Sequence, residues 1–141
     1  MPGSRHNAIQ TEEEVMFFDT DAGAVVHNLA YLRFIETART KLGTQLGLNL
    51  TKMAAQNQYA VLLRTEVDYK KPARLGDTLH IRGHLESTEK VRFWCAFEVH
   101  RPSDKSLLVT CRQQLALVQL PEGKPLRLPK DWQSFSTTPN S

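Results

Sequence analysis

Cysteine is scarce in this chain of 141 residues, which contains two, Cys95 and Cys111. They lie far apart and form no Cys-x-x-Cys or Cys/His cluster, which argues against a disulfide framework and a zinc site. No apolar run approaches the roughly 20 residues that a membrane-spanning helix requires, and residues 1–10 are too polar for a secretory signal. We therefore expect a cytoplasmic protein with two free thiols, no membrane span and no bound metal.

Long runs of like charge are also missing, and no stripe of aromatic and basic residues suggests a nucleic-acid groove. The net charge of +3 is unevenly divided: residues 1–69 carry 6 Lys/Arg and 8 Asp/Glu, and residues 70–141 carry 12 and 7. The basic half suits either a small polyanionic ligand or an ordinary solvated surface. With 40% apolar residues the chain can bury a core, so we expect one domain over residues 11–135 between tails at 1–10 and 136–141.

One segment has the apolar period of a helix. Apolar residues at i, i+3, i+4, i+7 and i+11 predict a helix from about Asn28 to Leu42. Asn28 is the expected N-cap and Gly43 the expected stop. Leu29 and Leu32 widen the apolar face, so other elements should wrap this helix. The face consists of Tyr31, Phe34, Ile35, Ala38 and Leu42.

The remaining segments alternate between apolar and polar residues, the pattern of strands that are covered on one face. A short strand is predicted at Glu14–Phe18 and a second helix at Thr51–Gln56. A tight turn near residues 88–90 would place Glu86 opposite Arg92. An amphipathic sheet must cover its apolar face, so we expect an α+β hotdog fold, a five-stranded antiparallel sheet wrapped around one long central helix. The four long strands are predicted at Tyr59–Tyr69, Asp77–Glu86, Arg92–His100 and Leu107–Val118.

Two motifs carry a resemblance to a known family. Residues 17–36 read Phe-Phe-Asp-Thr-Asp-Ala-Gly-Ala-Val-Val-His-Asn-Leu-Ala-Tyr-Leu-Arg-Phe-Ile-Glu. This segment resembles the active-site loop and helix start of the 4-hydroxybenzoyl-CoA thioesterase family, most closely the branch of Tol–Pal-associated acyl-CoA thioesterases. Residues 69–79, Tyr-Lys-Lys-Pro-Ala-Arg-Leu-Gly-Asp-Thr-Leu, resemble a strand-joining loop of the same fold. The sequence departs from the family pattern at Ala24, Asn28 and Ala30.

The resemblance implies hydrolysis of an acyl- or aroyl-CoA thioester, with Asp21 as nucleophile or general base. The backbone amide of Asn28, at the helix N-terminus, would polarise the thioester carbonyl, and His27 is a weaker catalytic candidate. The other predicted substrate contacts are Gly23, Val26, Tyr31 and Tyr59, and the candidates for the CoA phosphates are Lys90, Arg92, Lys70 and Lys71. In this fold the pocket usually forms between subunits, which implies a homodimer or homotetramer. No cofactor is expected beyond the CoA of the substrate.

Two other functions fit the sequence less well. A hotdog dehydratase acting on 3-hydroxyacyl groups would need a His and a Glu, for which His27 and Glu36 are available. The surroundings of His27 do not resemble those enzymes. A hotdog protein that binds acyl-CoA without hydrolysing it would account for the altered residues Ala24, Asn28 and Ala30.

Overall fold

The computed structural model describes residues 7–134 and consists of a sheet curved around one long helix. The helix α1 spans Asn28–Gln45, and a short helix α2 follows at Leu50–Ala55. Two short 3-10 turns, Phe17–Asp19 and Ala22–Ala24, precede α1, and a third at Lys130–Ser134 ends the described chain. The strands are β1 Ala8–Glu14, β2 Gln58–Tyr69, β3 Thr78–Thr88, β4 Arg92–Arg101, β5 Ser106–Gln119 and β6 Lys124–Pro125.

The sheet is antiparallel, with the strand order β1-β3-β4-β5-β2. The two-residue strand β6 pairs with β5 and adds a sixth member to the five strands expected. Because β1 and β2 end the order, each has one edge unpaired within the described chain. No helix among residues 7–134 is long and apolar enough to cross a bilayer.

The core lies between α1 and the covered face of the sheet. The predicted apolar face of α1 is fully buried, from Tyr31 to Leu42. Alternate residues of β3 and β4 meet it, because successive strand side chains point to opposite faces. They are Leu79, Ile81, Leu85, Phe93, Cys95, Phe97 and Val99. The α+β hotdog fold predicted from the sequence is confirmed, and both cysteines are free and buried.

The first strand differs from the prediction. It lies at Ala8–Glu14, so residues 8–10 are strand rather than tail, and Phe17 and Phe18 belong to an exposed 3-10 turn. As an edge strand, β1 buries its inward side chains only partly, so its sequence needs few apolar residues. Residues 1–6 and 136–141 of the predicted tails lie outside the described residues.

The register of the β3–β4 hairpin also differs. Ile81 pairs with Val99, two residues from the predicted register, because β3 continues to Thr88 and has a bulge after Leu85. A slip of two residues keeps every side chain on its predicted face. Glu86 therefore does not pair with Arg92.

The partner of Glu86 is instead Arg112 on β5, at 2.7 Å between Oε1 and Nη2. The same guanidinium also contacts Glu66 and lies over the ring of Trp94, 4.2 Å from its centre. This network crosses the outer face of the sheet. It is solvated, so it contributes little to stability.

The ends of α1 were predicted one to three residues away from their observed positions. His27, not Asn28, is the N-cap, and its Nδ1 accepts a hydrogen bond from Ala30 N–H at 3.2 Å. The helix continues past Gly43 to Gln45, and the left-handed residue that follows it is Gly47, at φ +99°. Leu29 is 70% exposed, so it does not widen the buried face.

Candidate active site

Asp21 lies on a tight turn between β1 and α1, and its side chain is exposed. Its N–H donates to the carbonyl of Val25 and its carbonyl accepts from Ala24 N–H, each at 3.0 Å. Gly23 and Ala24 both have positive φ, +82° and +59°. A non-glycine residue in this left-handed region costs about 1–2 kcal/mol. Alanine at position 24 therefore adds backbone strain of about this size to the turn. The turn therefore holds an exposed carboxylate on a backbone whose own polar groups are paired.

The two motifs identified in the sequence meet at this turn. Val26 N–H donates to the carbonyl of Ala73 at 2.9 Å, and Leu75 N–H donates to the carbonyl of Ala24 at 3.0 Å. Val25 and Arg74 form an isolated β-bridge. The loop before β3 is thus a second support for the Asp21 turn.

Asp19, the other acidic residue of the loop, is 2% exposed. Its carboxylate accepts hydrogen bonds from Met16 N–H at 2.9 Å and from Arg33 Nη2 at 3.0 Å. Both oxygens have partners, so Asp19 holds the 3-10 turn against α1. This placement leaves Asp21 as the solvent-facing carboxylate of the pair.

The N-terminus of α1 begins a few residues after Asp21. His27 caps it through Nδ1, so that nitrogen carries no proton and is not free to act as a base. Within residues 7–134 the backbone N–H groups of Asn28 and Leu29 have no hydrogen-bond partner. Free N–H groups at a helix N-terminus favour negative charge. Because His27 caps the helix, the backbone N–H of Asn28 remains available to a ligand, as its predicted role requires.

A cleft of about 260 Å³ adjoins this helix end. Tyr31 forms its floor: the hydroxyl accepts from Ala73 N–H at 2.8 Å, and the ring packs 5.7 Å from that of Tyr69. Burial raises the pKa of the Tyr31 hydroxyl. Tyr31 is therefore a neutral support between helix and loop. The cleft is lined by Val26, Asn28, Tyr31, Tyr69, Lys70, Lys71 and Pro72.

The predicted site residues fall at two ends of the sheet. Lys70 and Lys71 lie beside the N-terminus of α1. Lys90 and Arg92 lie at the β3–β4 turn, beyond the far end of a strand of 11 residues, about 33 Å away. Tyr59 lies at the start of β2, away from Tyr31. One chain therefore does not bring all the predicted residues together.

A second cavity of about 300 Å³, here called the α1–α2 cavity, lies beside the start of β2. Its polar lining includes Arg39, which the sequence analysis did not identify. The helical spacing placed Arg39 next to the buried stripe, and the apolar alternation of β5 breaks at Gln113. That break is the sequence feature that could have identified Arg39, because Gln113 is buried and accepts a hydrogen bond from Arg39.

Among the described residues no group of three or more His, Cys, Asp or Glu side chains could hold a metal ion.

A curved antiparallel sheet wrapped around one long helix is the architecture of the hotdog fold. Residues 15–135 match the Thioesterase-like superfamily, and the chain belongs to it. The thioesterase class expected from the sequence is confirmed at this level.

Several known proteins are similar to this chain over most of their length. The 1,4-dihydroxy-2-naphthoyl-CoA hydrolase of Synechocystis is 27% identical over 124 residues, which covers 87% of this chain and 90% of the relative. Acyl-CoA thioesterase YbgC of Haemophilus influenzae is 29% identical over 126 residues, covering 89% and 91%. The crystal structure of a probable thioesterase from Bartonella henselae has a TM-score of 0.78 at 28% identity, covering 86% of this chain and 99% of that chain.

Proposed function

We propose that this protein hydrolyses an acyl-CoA thioester to a free acid and CoA, with Asp21 as the catalytic carboxylate. The observation that carries the proposal is the exposed Asp21 side chain on a turn tied to the start of α1, where backbone N–H groups are free. A carboxylate can act as base or nucleophile in thioester hydrolysis, and N–H groups at a helix end can bind the oxyanion that forms.

The chemistry can take two routes from this arrangement. In one route Asp21 takes a proton from water while the water oxygen attacks the carbonyl carbon, the C–S bond breaks and the thiolate of CoA is released. In the other route the Asp21 carboxylate attacks the carbonyl carbon, the C–S bond breaks and the thiolate of CoA leaves, which gives a mixed anhydride. Water then cleaves this anhydride to the free acid and restores the Asp21 carboxylate. In both, negative charge develops on the carbonyl oxygen, where the Asn28 amide would donate.

The substrate we propose is a small or medium acyl- or aroyl-CoA. The relatives named above act on an aromatic thioester in one case and on acyl-CoA in the other. The Asp-loop motif supports membership of the 4-hydroxybenzoyl-CoA thioesterase family and its Tol–Pal-associated branch. Gly23 and Val26 would contact the acyl group beside Asp21. We expect the enzyme to act in the cytoplasm without a cofactor.

We further propose that the active form is at least a dimer, joined through the free edges of two β2 strands. The β2 edge exposes apolar side chains, Leu62 and Leu63 at 47% each, whereas β1 ends in the acidic run Glu12–Glu14. Charged edges resist pairing and apolar edges invite it. A tetramer would need a second interface on top of this one.

An antiparallel β2–β2 pairing centred near Arg64 would also unite the divided site. The start of one β2 would lie beside the end of the other, so Tyr59 of one copy would approach the cleft at Asn28 of the second. Lys90 and Arg92, which lie at the Tyr59 end of the sheet, would join Lys70 and Lys71 around the same substrate. These four cations are the candidates for the CoA phosphates.

The two alternative functions have less support. In a dehydratase His27 would act as a base, but its Nδ1 is occupied by Ala30 N–H. A non-catalytic acyl-CoA binder would keep the cleft and the cations, and turnover separates it from the proposed enzyme.

The test is thiol release from a panel of short, long and aromatic acyl-CoAs by wild type, Asp21→Asn and the control Glu98→Gln, which removes an exposed carboxylate from the outer face of β4. We expect turnover of one substrate class and a loss of about 100-fold or more in Asp21→Asn, with the control unchanged. Binding of acyl-CoA without thiol release by any of the three proteins would favour the binder and refute the enzyme.

A further inference from the structure

The α1–α2 cavity is a mainly apolar space with one partly buried cation, Arg39. It lies between α1, α2 and the first residues of β2, and opens at the end of the sheet opposite the chain's own Asp21. Most of its wall is aliphatic or aromatic, and includes Leu42, Leu46, Met53, Tyr59 and Phe93.

The guanidinium of Arg39 is held in a fixed position. Its Nη1 donates to Oε1 of Gln113, whose side chain is buried in the sheet, and Nε2 of Gln113 donates to Thr65 Oγ1 at 3.3 Å. The amide of Gln113 is thus oriented with its oxygen towards Arg39. A buried glutamine, oriented by the partly buried Thr65, thus holds one charged group at the cavity wall.

The charge of Arg39 is only partly compensated by the protein. The side chain is 21% exposed, and its one ion-pair partner in the described part of the chain is Glu36, 3.8 Å from Nη2 and itself 67% exposed. A guanidinium has five N–H donors, and the hydrogen bond to Gln113 is the one found among residues 7–134. A largely buried charge is costly unless acceptors surround it. N–H donors of the Arg39 guanidinium therefore remain available to a hydrogen-bond acceptor of a ligand that enters the cavity.

We propose that Arg39 is a specificity-determining residue that binds an oxygen at the far end of the acyl group, so that the preferred substrates carry a terminal hydroxyl or carboxylate. This inference rests on the proposed function and on the β2–β2 dimer. In that dimer the mouth of the cavity at Tyr59 faces the Asn28 cleft of the other copy. The thioester would lie at the catalytic turn of one copy while its acyl chain enters the cavity of the other.

The experiment compares substrates of equal length that differ only at the far end: octanoyl-CoA, ω-hydroxyoctanoyl-CoA and suberyl-CoA. The enzymes are wild type, Arg39→Met and Lys41→Met, a control that removes an exposed cation from the same helix. A double variant, Arg39→Met with Gln113→Leu, leaves no orphaned amide if the single variant folds poorly. Binding of methyl octanoate and monomethyl suberate, which differ only at the end far from the ester, is measured by calorimetry in parallel.

We expect wild type to favour at least one oxygenated substrate by about tenfold or more in kcat/KM, as hydrogen bonds to a charged group allow. The preference should vanish in the Arg39 variants and persist in Lys41→Met. Equal rates for the three substrates in wild type, or a preference that survives in a folded Arg39 variant, would overturn the inference. If no protein releases thiol, the proposed function fails, and tighter binding of monomethyl suberate than of methyl octanoate, lost in the Arg39 variants, still decides the role of Arg39.

Discussion

The hydroxyl of Tyr31 links the central helix to the loop that supports the Asp21 turn, so its removal gives a sharp test of the architecture around that turn. Tyr31→Phe keeps the ring and deletes the acceptor of Ala73 N–H, a bond of 2.8 Å between two buried residues. A buried donor left without a partner costs about 1–3 kcal/mol. In a domain of this size each kcal/mol corresponds to a change of about 3–4 °C in Tm. The expected decrease in Tm is therefore about 3–10 °C.

The matched control is Tyr69→Phe. It makes the same chemical change on the neighbouring ring, which is 49% exposed and whose hydroxyl has no hydrogen-bond partner among residues 7–134. We expect it to change the free energy of unfolding by less than about 0.5 kcal/mol. Urea unfolding and thermal unfolding of both variants provide the measurement. Equal effects in the two variants would refute the claim that the Tyr31–Ala73 hydrogen bond supports the loop.

Two further predictions concern the core. Gly83→Ala should lower the free energy of unfolding by about 1–3 kcal/mol, because its Cβ would lie 2.7 Å from the ring of Phe97. Gly43→Ala, in α1 with room for a methyl group, should raise it by about 0.5–1 kcal/mol, and urea titrations that reverse this order would contradict the packing described. Burial raises the pKa of Cys95 to about 12 and that of Cys111 to about 11, from 9.0. The unfolded thiols ionise first, so stability should fall between about pH 9 and pH 12, less steeply in the double alanine variant; identical slopes would argue against this cause.

The local parts of the fold follow from the sequence because they depend on the period of apolar residues. The buried face of α1 and the four long strands were predicted correctly from spacings of 3.6 and 2 residues. The exposed Leu29 and the edge strand β1 were not, because both depend on which neighbour covers them. The hairpin register depended on a bulge after Leu85 that no spacing signalled.

The hotdog class, the Asp21 turn and the helix that follows it could be predicted from the sequence, since these rest on contiguous residues and on local backbone preferences. Tertiary structure sets what surrounds them. It joined the Asp21 turn to the loop at Ala73, assigned the helix cap to His27, and separated Lys70 from Lys90 by the length of a strand. It also buried Arg39 against Gln113, a pair 74 positions apart. Contacts between distant segments depend on strand order and register, which a pattern of near neighbours does not encode.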